Sequence, residues 1–186
     1  MSVKQNTSVI LSELQNNIAG IEDSEFDALR NEILNADRIF TAAAGRSGCA
    51  VRAFTNRLMH LGLTVSMLGE ITCPHTRGRD LLIIVSGSGE TGSLVCSAQK
   101  AKKNSVRLAV VTMDADSTLG KLADVTVVLP GSSPKLKKKS AVRSVQPMGS
   151  LFEQTAFLVL DGLIMDLMEE LGETSESMFV RHADLE

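Results

Sequence analysis

Two short stretches of this sequence are richer in glycine and hydroxyl residues than a simple turn requires. The longer is Ser86-Gly87-Ser88-Gly89-Glu90-Thr91; the shorter is Gly45-Arg46-Ser47-Gly48. Glycines let a backbone turn tightly and present successive N–H groups to one point. A helix that follows adds partial positive charge at its N-terminus. The hydroxyls of Ser86, Ser88 and Thr91 add donors. Such a loop satisfies a phosphate dianion without any lysine. The Gly-Lys-Ser/Thr ending of a triphosphate-binding loop is absent, which disfavours a nucleoside triphosphate.

The same loop has a competing reading. Gly87, Gly89 and Gly92 spell G-x-G-x-x-G, and Asp114 lies 22 residues beyond Gly92. On spacing this is a dinucleotide fingerprint. Three features favour a sugar phosphate instead. The loop is in mid-chain, not after the first strand. Its variable positions are hydroxyl-rich. A second Gly-Ser loop precedes it, and the dinucleotide reading leaves that one unused. A tight turn with no ligand is the plain alternative, and for residues 45–48 the two stand level.

The elements that must carry these loops are legible from the apolar pattern. Val9, Ile10, Leu14 and Ile18 recur at helical spacing, and Gly20 is a stop. Ser24 and Asp27 read as a capping-box start to a second helix carrying Phe26, Leu29 and Ile33. The apolar run 38–44 leads into the first loop, and a helical stretch follows to His60. Residues 63–68 read as a strand. Leu81–Val85 is apolar at every position, the signature of a strand buried on both faces. A helix to about Lys103 follows the second loop. Residues 106–112 and 125–129 are two more buried strands. Residues 130–147 read as a loop, and its Lys135, Lys137, Lys138 and Lys139 as a solvated basic run. A long helix spans 150–171, and the tail is polar. Strands alternating with helices predict an α/β fold with a parallel sheet covered on both faces. Both Gly-Ser loops follow a strand and open a helix, so they share the rim where such sheets bind ligands. Residues 1–186 form one domain.

Composition narrows the function. With no Trp, no Tyr and a net charge of -3, neither base stacking nor a basic coat for nucleic acid is expected. Cys49, Cys73 and Cys96 show neither metal spacing nor a disulfide framework, and the three histidines give no metal motif. No metal is expected. No run is long and apolar enough for a membrane span, and the N-terminus lacks a signal-peptide pattern, so the reading is cytoplasmic.

The chain resembles the sugar isomerase (SIS) domain family, and within it the 6-phospho-3-hexuloisomerases. The resemblance rests on Ala44–Gly48, residues 57–62, Gly69-Glu70 with Pro74, Ser86–Thr91, Gln146–Gln154 and Arg181–Glu186. It implies a flavodoxin-like, three-layer αβα sandwich with a five-stranded parallel sheet. It implies a homotetramer with sites near subunit interfaces, in which helices 1–36 and the tail 173–186 pack. It implies interconversion of D-arabino-hex-3-ulose 6-phosphate and D-fructose 6-phosphate through an enediolate, with no cofactor, in the ribulose monophosphate pathway. One departure is Asp184, where Asn is expected.

The resemblance also assigns residues. Ser86, Gly87, Ser88, Gly89, Glu90 and Thr91 grip phosphate, and Ser47, with Gly48, contacts substrate. Arg46 orients the phosphate or stabilises the enediolate; a plain salt bridge is an equal reading. Glu153 falls where the family's proton acceptor lies. Spacing alone reads it differently, because Ser150-Leu-Phe-Glu153 is a capping box. The two roles compete, since a carboxylate held by backbone N–H groups is a weaker base. His182 is the second catalytic candidate, for ring opening or hydroxyl proton transfer, against a frayed tail as the plain alternative. His60 reads as structural, favoured by the negative end of its helix. A non-catalytic sugar-phosphate sensor, or an isomerase of another phosphosugar, is the alternative function.

Overall fold

Leu81–Val85 is apolar throughout because helices cover both of its sides. In the computed structural model, which describes residues 2–136 and 142–185, this segment is the central strand β3. Its companions are β1 (Ile39–Ala43), β2 (Val65–Met67), β4 (Arg107–Thr112) and β5 (Val125–Val128). All pair in parallel, in the order β2-β1-β3-β4-β5. This is the flavodoxin-like order, with its switch point between β1 and β3. Ala43, Val85 and Val111 stand in one register row. The chain therefore leaves β1 and β3 side by side on one rim.

Successive side chains of a strand face opposite ways, and here each face has its own core. Ile39, Leu81, Ile83, Val85, Val111 and Val127 pack against α2 (Asp23–Asn35), α3 (Ser47–His60) and α6 (Ser150–Leu171). Phe40, Ala42, Leu82, Ile84, Leu108 and Val110 pack against α4 (Gly92–Lys103) and α5 (Thr118–Leu122). Each fully buried Ile or Leu adds roughly 1.5–3 kcal/mol. The result is the three-layer sandwich that the strand pattern implied. Two further helices, α1 (Val3–Ile18) and α7 (Ser175–Phe179), flank α6.

Some local expectations fail. The second helix begins at Asp23 with Glu22 as its cap residue, so Ser24 lies inside it and caps nothing. Asp23 and Glu25 in the first turn supply the negative charge that favours this end. Glu25 Oε2 also accepts from Val128 N at 2.6 Å, tying α2 to β5. The five-residue helices α5 and α7 were not legible. Of the basic run, Lys137, Lys138 and Lys139 lie outside the described residues.

Two anchors hold segments that run to or from the sheet. Asp80, 1% exposed, accepts from Arg38 Nε at 3.0 Å, Arg38 Nη2 at 2.6 Å and Arg77 N at 2.6 Å. On α1, Glu13 accepts from Ser144 Oγ, Val145 N and Gln146 Nε2 at 2.7–3.0 Å, holding the approach to α6. Burial alone would raise the Glu13 carboxyl, but the bonds from Gln146, Val145 and Ser144 bring it below its usual 4.5. A carboxyl lowered in the folded state stabilises above its unfolded pKa, and that contribution is lost as pH falls through the folded value.

Two predictions follow from these anchors. Asp80→Ala strands Arg38 and lowers stability by about 3 kcal/mol in urea denaturation. The stability gap between wild type and Glu13→Gln is full at pH 6 and closes as pH falls below 4.5, measured by urea midpoints across pH.

Candidate active site

Three of the helices that begin at this rim are not capped by side chains. Arg46 stands at the N-cap of α3, Thr91 at that of α4 and Gly149 at that of α6, each without a side-chain cap bond. The first turns of α3 and α4 carry no acidic residue. Ser2, Ser117 and Thr174 cap α1, α5 and α7, while α2, away from the cleft, has no side-chain cap but two acidic residues in its first turn. Uncapped first-turn N–H groups with the helix dipole behind them are an anion site. All three N-termini line one cleft.

Glycines shape its floor. Gly89 has φ +62, and a Cβ there would meet Ser117 Oγ at 2.0 Å, so no other residue fits this turn. A Cβ on Gly87 would meet Met113 Cε at 2.8 Å and Phe152 Cδ1 at 3.0 Å. The loop thus lies flat on those two side chains. Ser86 is buried, with its Oγ 3.4 Å from Thr91 Oγ1.

Glu153 extends from the first turn of α6 into the cleft. Its Oε2 accepts from Arg46 Nε at 2.5 Å. The capping box foreseen at Ser150–Glu153 does not form: α6 has no side-chain cap, Gly149 holds the cap position, and the carboxylate goes to Arg46. The hydrogen bond to Glu153, with its charge, raises the Arg46 guanidinium above its ordinary value. The carboxylate is therefore directed to Arg46 in the cleft and not to the N-terminus of its own helix.

Arg46, Ser47, Ser86, Gly87, Ser88, Thr91 and Glu153 line this one cleft. Three other foreseen residues stand behind the lining. Gly48 is in the first turn of α3, its N bonded to Gly45 O at 3.0 Å. The Gly89 N–H is bonded to Ser86 O at 3.0 Å. The Glu90 carboxylate accepts from Thr118 N and Thr118 Oγ1, both at 3.0 Å, at the start of α5. The sequence reading missed Met113, Ser133, Lys135, Met148 and Phe152, which also line the cleft. Lys135 in particular comes from the stretch read as a solvated loop. No local pattern marks these residues; the β5–α6 connection carries Ser133 and Lys135 back over the rim. Among the described residues, no three His, Cys, Asp or Glu side chains cluster to hold a metal.

His182 is not brought to this cleft by its own chain. It stacks on His60 at 5.5 Å and on Phe179 at 5.7 Å. His60 ends α3 and Ser47 begins it, 13 residues apart, which is about 20 Å of helix. The tail is nonetheless docked, not frayed. Arg181 donates to His60 O at 2.9 Å and makes a forked pair with Glu173 at 2.9–3.0 Å. Its guanidinium lies 3.3 Å from where a Cβ on Gly62 would stand. His60 itself departs from expectation. Burial first, then Arg57 and His182, push its imidazole below the ordinary value, so the neutral ring is favoured despite the helix end.

The geometry can be set beside known proteins. Residues 32–158 match the SIS domain family. Over its full length the chain is 46% identical to the 3-hexulose-6-phosphate isomerase of Bacillus subtilis, all of which it covers. It is 38% identical to the enzyme of that name from Mycobacterium gastri, covering 99% of this chain and 92% of that one. A crystal structure from Methanococcus jannaschii, for which a function of 3-hexulose-6-phosphate isomerase was inferred, superposes with a TM-score of 0.81 at 31% identity, over 98% of this chain and 99% of that one. An uncapped three-helix cleft at the switch point of a parallel sheet, together with these matches along the whole chain, places the protein: it belongs to the SIS domain family.

Proposed function

We propose that this chain is a sugar-phosphate isomerase that interconverts D-arabino-hex-3-ulose 6-phosphate and D-fructose 6-phosphate. The full-length relatives named 3-hexulose-6-phosphate isomerase support the substrate. The observation that carries the chemistry is Glu153, whose carboxylate leaves its own helix to stand in the cleft against Arg46.

The reaction moves a ketone from carbon 3 to carbon 2. Glu153 takes the proton from carbon 2, the 2,3-enediolate forms, the hydroxyl proton moves from the carbon-2 oxygen to the carbon-3 oxygen, and Glu153 returns a proton to carbon 3. One carboxylate on one face serves both transfers, a contribution of roughly 10²–10⁴-fold. As Glu153 becomes neutral, negative charge appears on the enediolate oxygen. Arg46 stays charged throughout and passes its hydrogen bond from the carboxylate to that oxygen, so charge in the cleft stays balanced. Ser86, Ser88, Thr91 and the uncapped α4 N-terminus hold the phosphate; Ser47 and the α3 N-terminus hold the sugar. No five-membered ring to carbon 3 can close in the 3-ketose, because the oxygen it needs carries the phosphate. Fructose 6-phosphate does cyclise, so ring opening concerns that direction. His182 serves that step or the hydroxyl proton transfer. Since its own chain holds it at the far end of α3, a neighbouring subunit of a homotetramer supplies it. This reading sets the enzyme among cytoplasmic sugar phosphates.

Glu153→Gln keeps the side chain's size and lowers kcat by about 10²–10⁴-fold with little change in KM. The check is a coupled assay that supplies hexulose phosphate and detects fructose 6-phosphate. Near-normal turnover in that variant would exclude Glu153 as the base. Tight fructose 6-phosphate binding by the wild type with zero turnover would favour a sensor.

A further inference from the structure

The connection from β5 to α6 is pinned where it meets the cleft. Gly131 lies on Met113 and Phe152. A Cβ there would meet Met113 Sδ at 2.5 Å and Phe152 Cβ at 3.4 Å, so a side chain would displace Met113. The same two side chains lie under Gly87. The connection therefore starts beside the 86–91 loop. Helix α1 holds it from outside. Buried Asn17 donates to Pro130 O at 2.7 Å and to Thr155 Oγ1 at 2.8 Å. Further on, Glu13 accepts from Ser144, Val145 and Gln146. Between these ties, Ser133 Oγ is 3.9 Å, and Glu153 Oε1 3.8 Å, from where a Cβ on Gly149 would stand. The connection thus passes from the 86–91 loop to the first turn of α6. Lys135 follows in a turn closed by Leu136 N on Ser133 O at 3.1 Å, and it lines the cleft.

Charge indicates what Lys135 does there. Among the described residues, the charged side chains lining the cleft are Arg46, Glu153 and Lys135. Arg46 and Glu153 answer each other at 2.5 Å. Lys135 has no ion-pair partner among the described residues; only its backbone N–H is engaged, by Ser133 Oγ at 3.3 Å. A phosphate monoester brings a charge of about −1.5 to −2. The α4 N-terminus beside the 86–91 loop supplies about +0.5. Backbone and hydroxyl groups therefore leave most of the anion's charge unanswered, and one ammonium supplies most of the remainder. Lysine meets phosphate as a point charge and needs no fixed fork geometry. A cation carried on a tied connection is also already placed, which lowers the cost of binding.

We propose that Lys135 is a substrate-binding residue, the side-chain cation that answers the phosphate group held by the 86–91 loop. That the anion belongs to a sugar phosphate rests on the functional reading above; that an anion sits against Lys135 does not.

Binding of inorganic phosphate to the full chain, followed by phosphorus NMR, reads the site without turnover. Lys135→Ala should weaken it about 10-fold, and Lys135→Arg should keep it within about threefold of wild type. Lys103→Ala removes the same charge at the far end of α4 and should leave it unchanged. In the coupled assay with hexulose phosphate, Lys135→Ala should lower kcat/KM about 10-fold, with the loss carried by KM and restored by Lys135→Arg. Unchanged phosphate affinity in Lys135→Ala overturns the proposal. An equal loss in Lys103→Ala overturns it too, as an effect of net charge alone. A loss carried by kcat, with KM and phosphate affinity unaltered, puts Lys135 at the reacting carbons and also overturns it. If the wild type does not turn over hexulose phosphate while phosphate affinity still depends on Lys135, the functional reading fails and the anion contact stands.

Discussion

Every parallel sheet ends its strands on one edge, and here the register makes that edge a shared boundary for two loops. Ala43 and Val85 leave the sheet side by side, so the helices that follow must begin next to each other. The first-turn amides of a helix need partners, and side chains supply them at α1, α5 and α7 but not at α3, α4 and α6, whose first turns meet in one cleft, nor at α2, which lies away from it. Three helix N-termini without side-chain caps therefore point their dipoles at one cleft. The proposed phosphorylated substrate suits such a cleft, because its charge meets the helix dipoles as well as any free N–H groups.

Within that positive surround, Glu153 is kept from becoming another capping group. Arg46 holds it instead, from a neighbouring helix and with its own side chain 63% exposed. An exposed ion pair adds little to stability. Its value lies in placement: the pair can open when a substrate oxygen competes for the guanidinium. On the proposed function, two tasks are separated: fixed backbone groups hold the phosphate end and movable side chains face the reacting carbons.

Much of this was legible in the sequence, and the reasons differ by feature. The central strands were visible because burial on both faces forces apolar runs such as Leu81–Val85. The hydroxyl and glycine pattern at 86–91 was visible because its turn is local. Helix α5 was not, since five residues carry barely one turn of periodicity. The start of α2 was misplaced because acidic residues in its first turn replace the cap that Ser24 suggested. Glu153 was ambiguous by its nature, as sequence gives the spacing of a capping box but not the arginine that competes for it. The position of His182 was out of reach. It depends on Arg181 meeting both Glu173 and the carbonyl of His60, 121 residues away. Lys135 was misjudged for the same reason, because only the path of the β5–α6 connection brings it to the rim.

The hydrogen bond from Val128 to Glu25 has a wider consequence. An open sheet has two edges, and an unpaired edge strand invites strands from other molecules. One edge here is β2, only three residues long. The other is β5, where the carboxylate of Glu25 occupies the Val128 N–H. With one border short and the other partly occupied, the sheet offers little template for aggregation. Association is left to the helical surfaces, where contacts are specific in direction and limited in number.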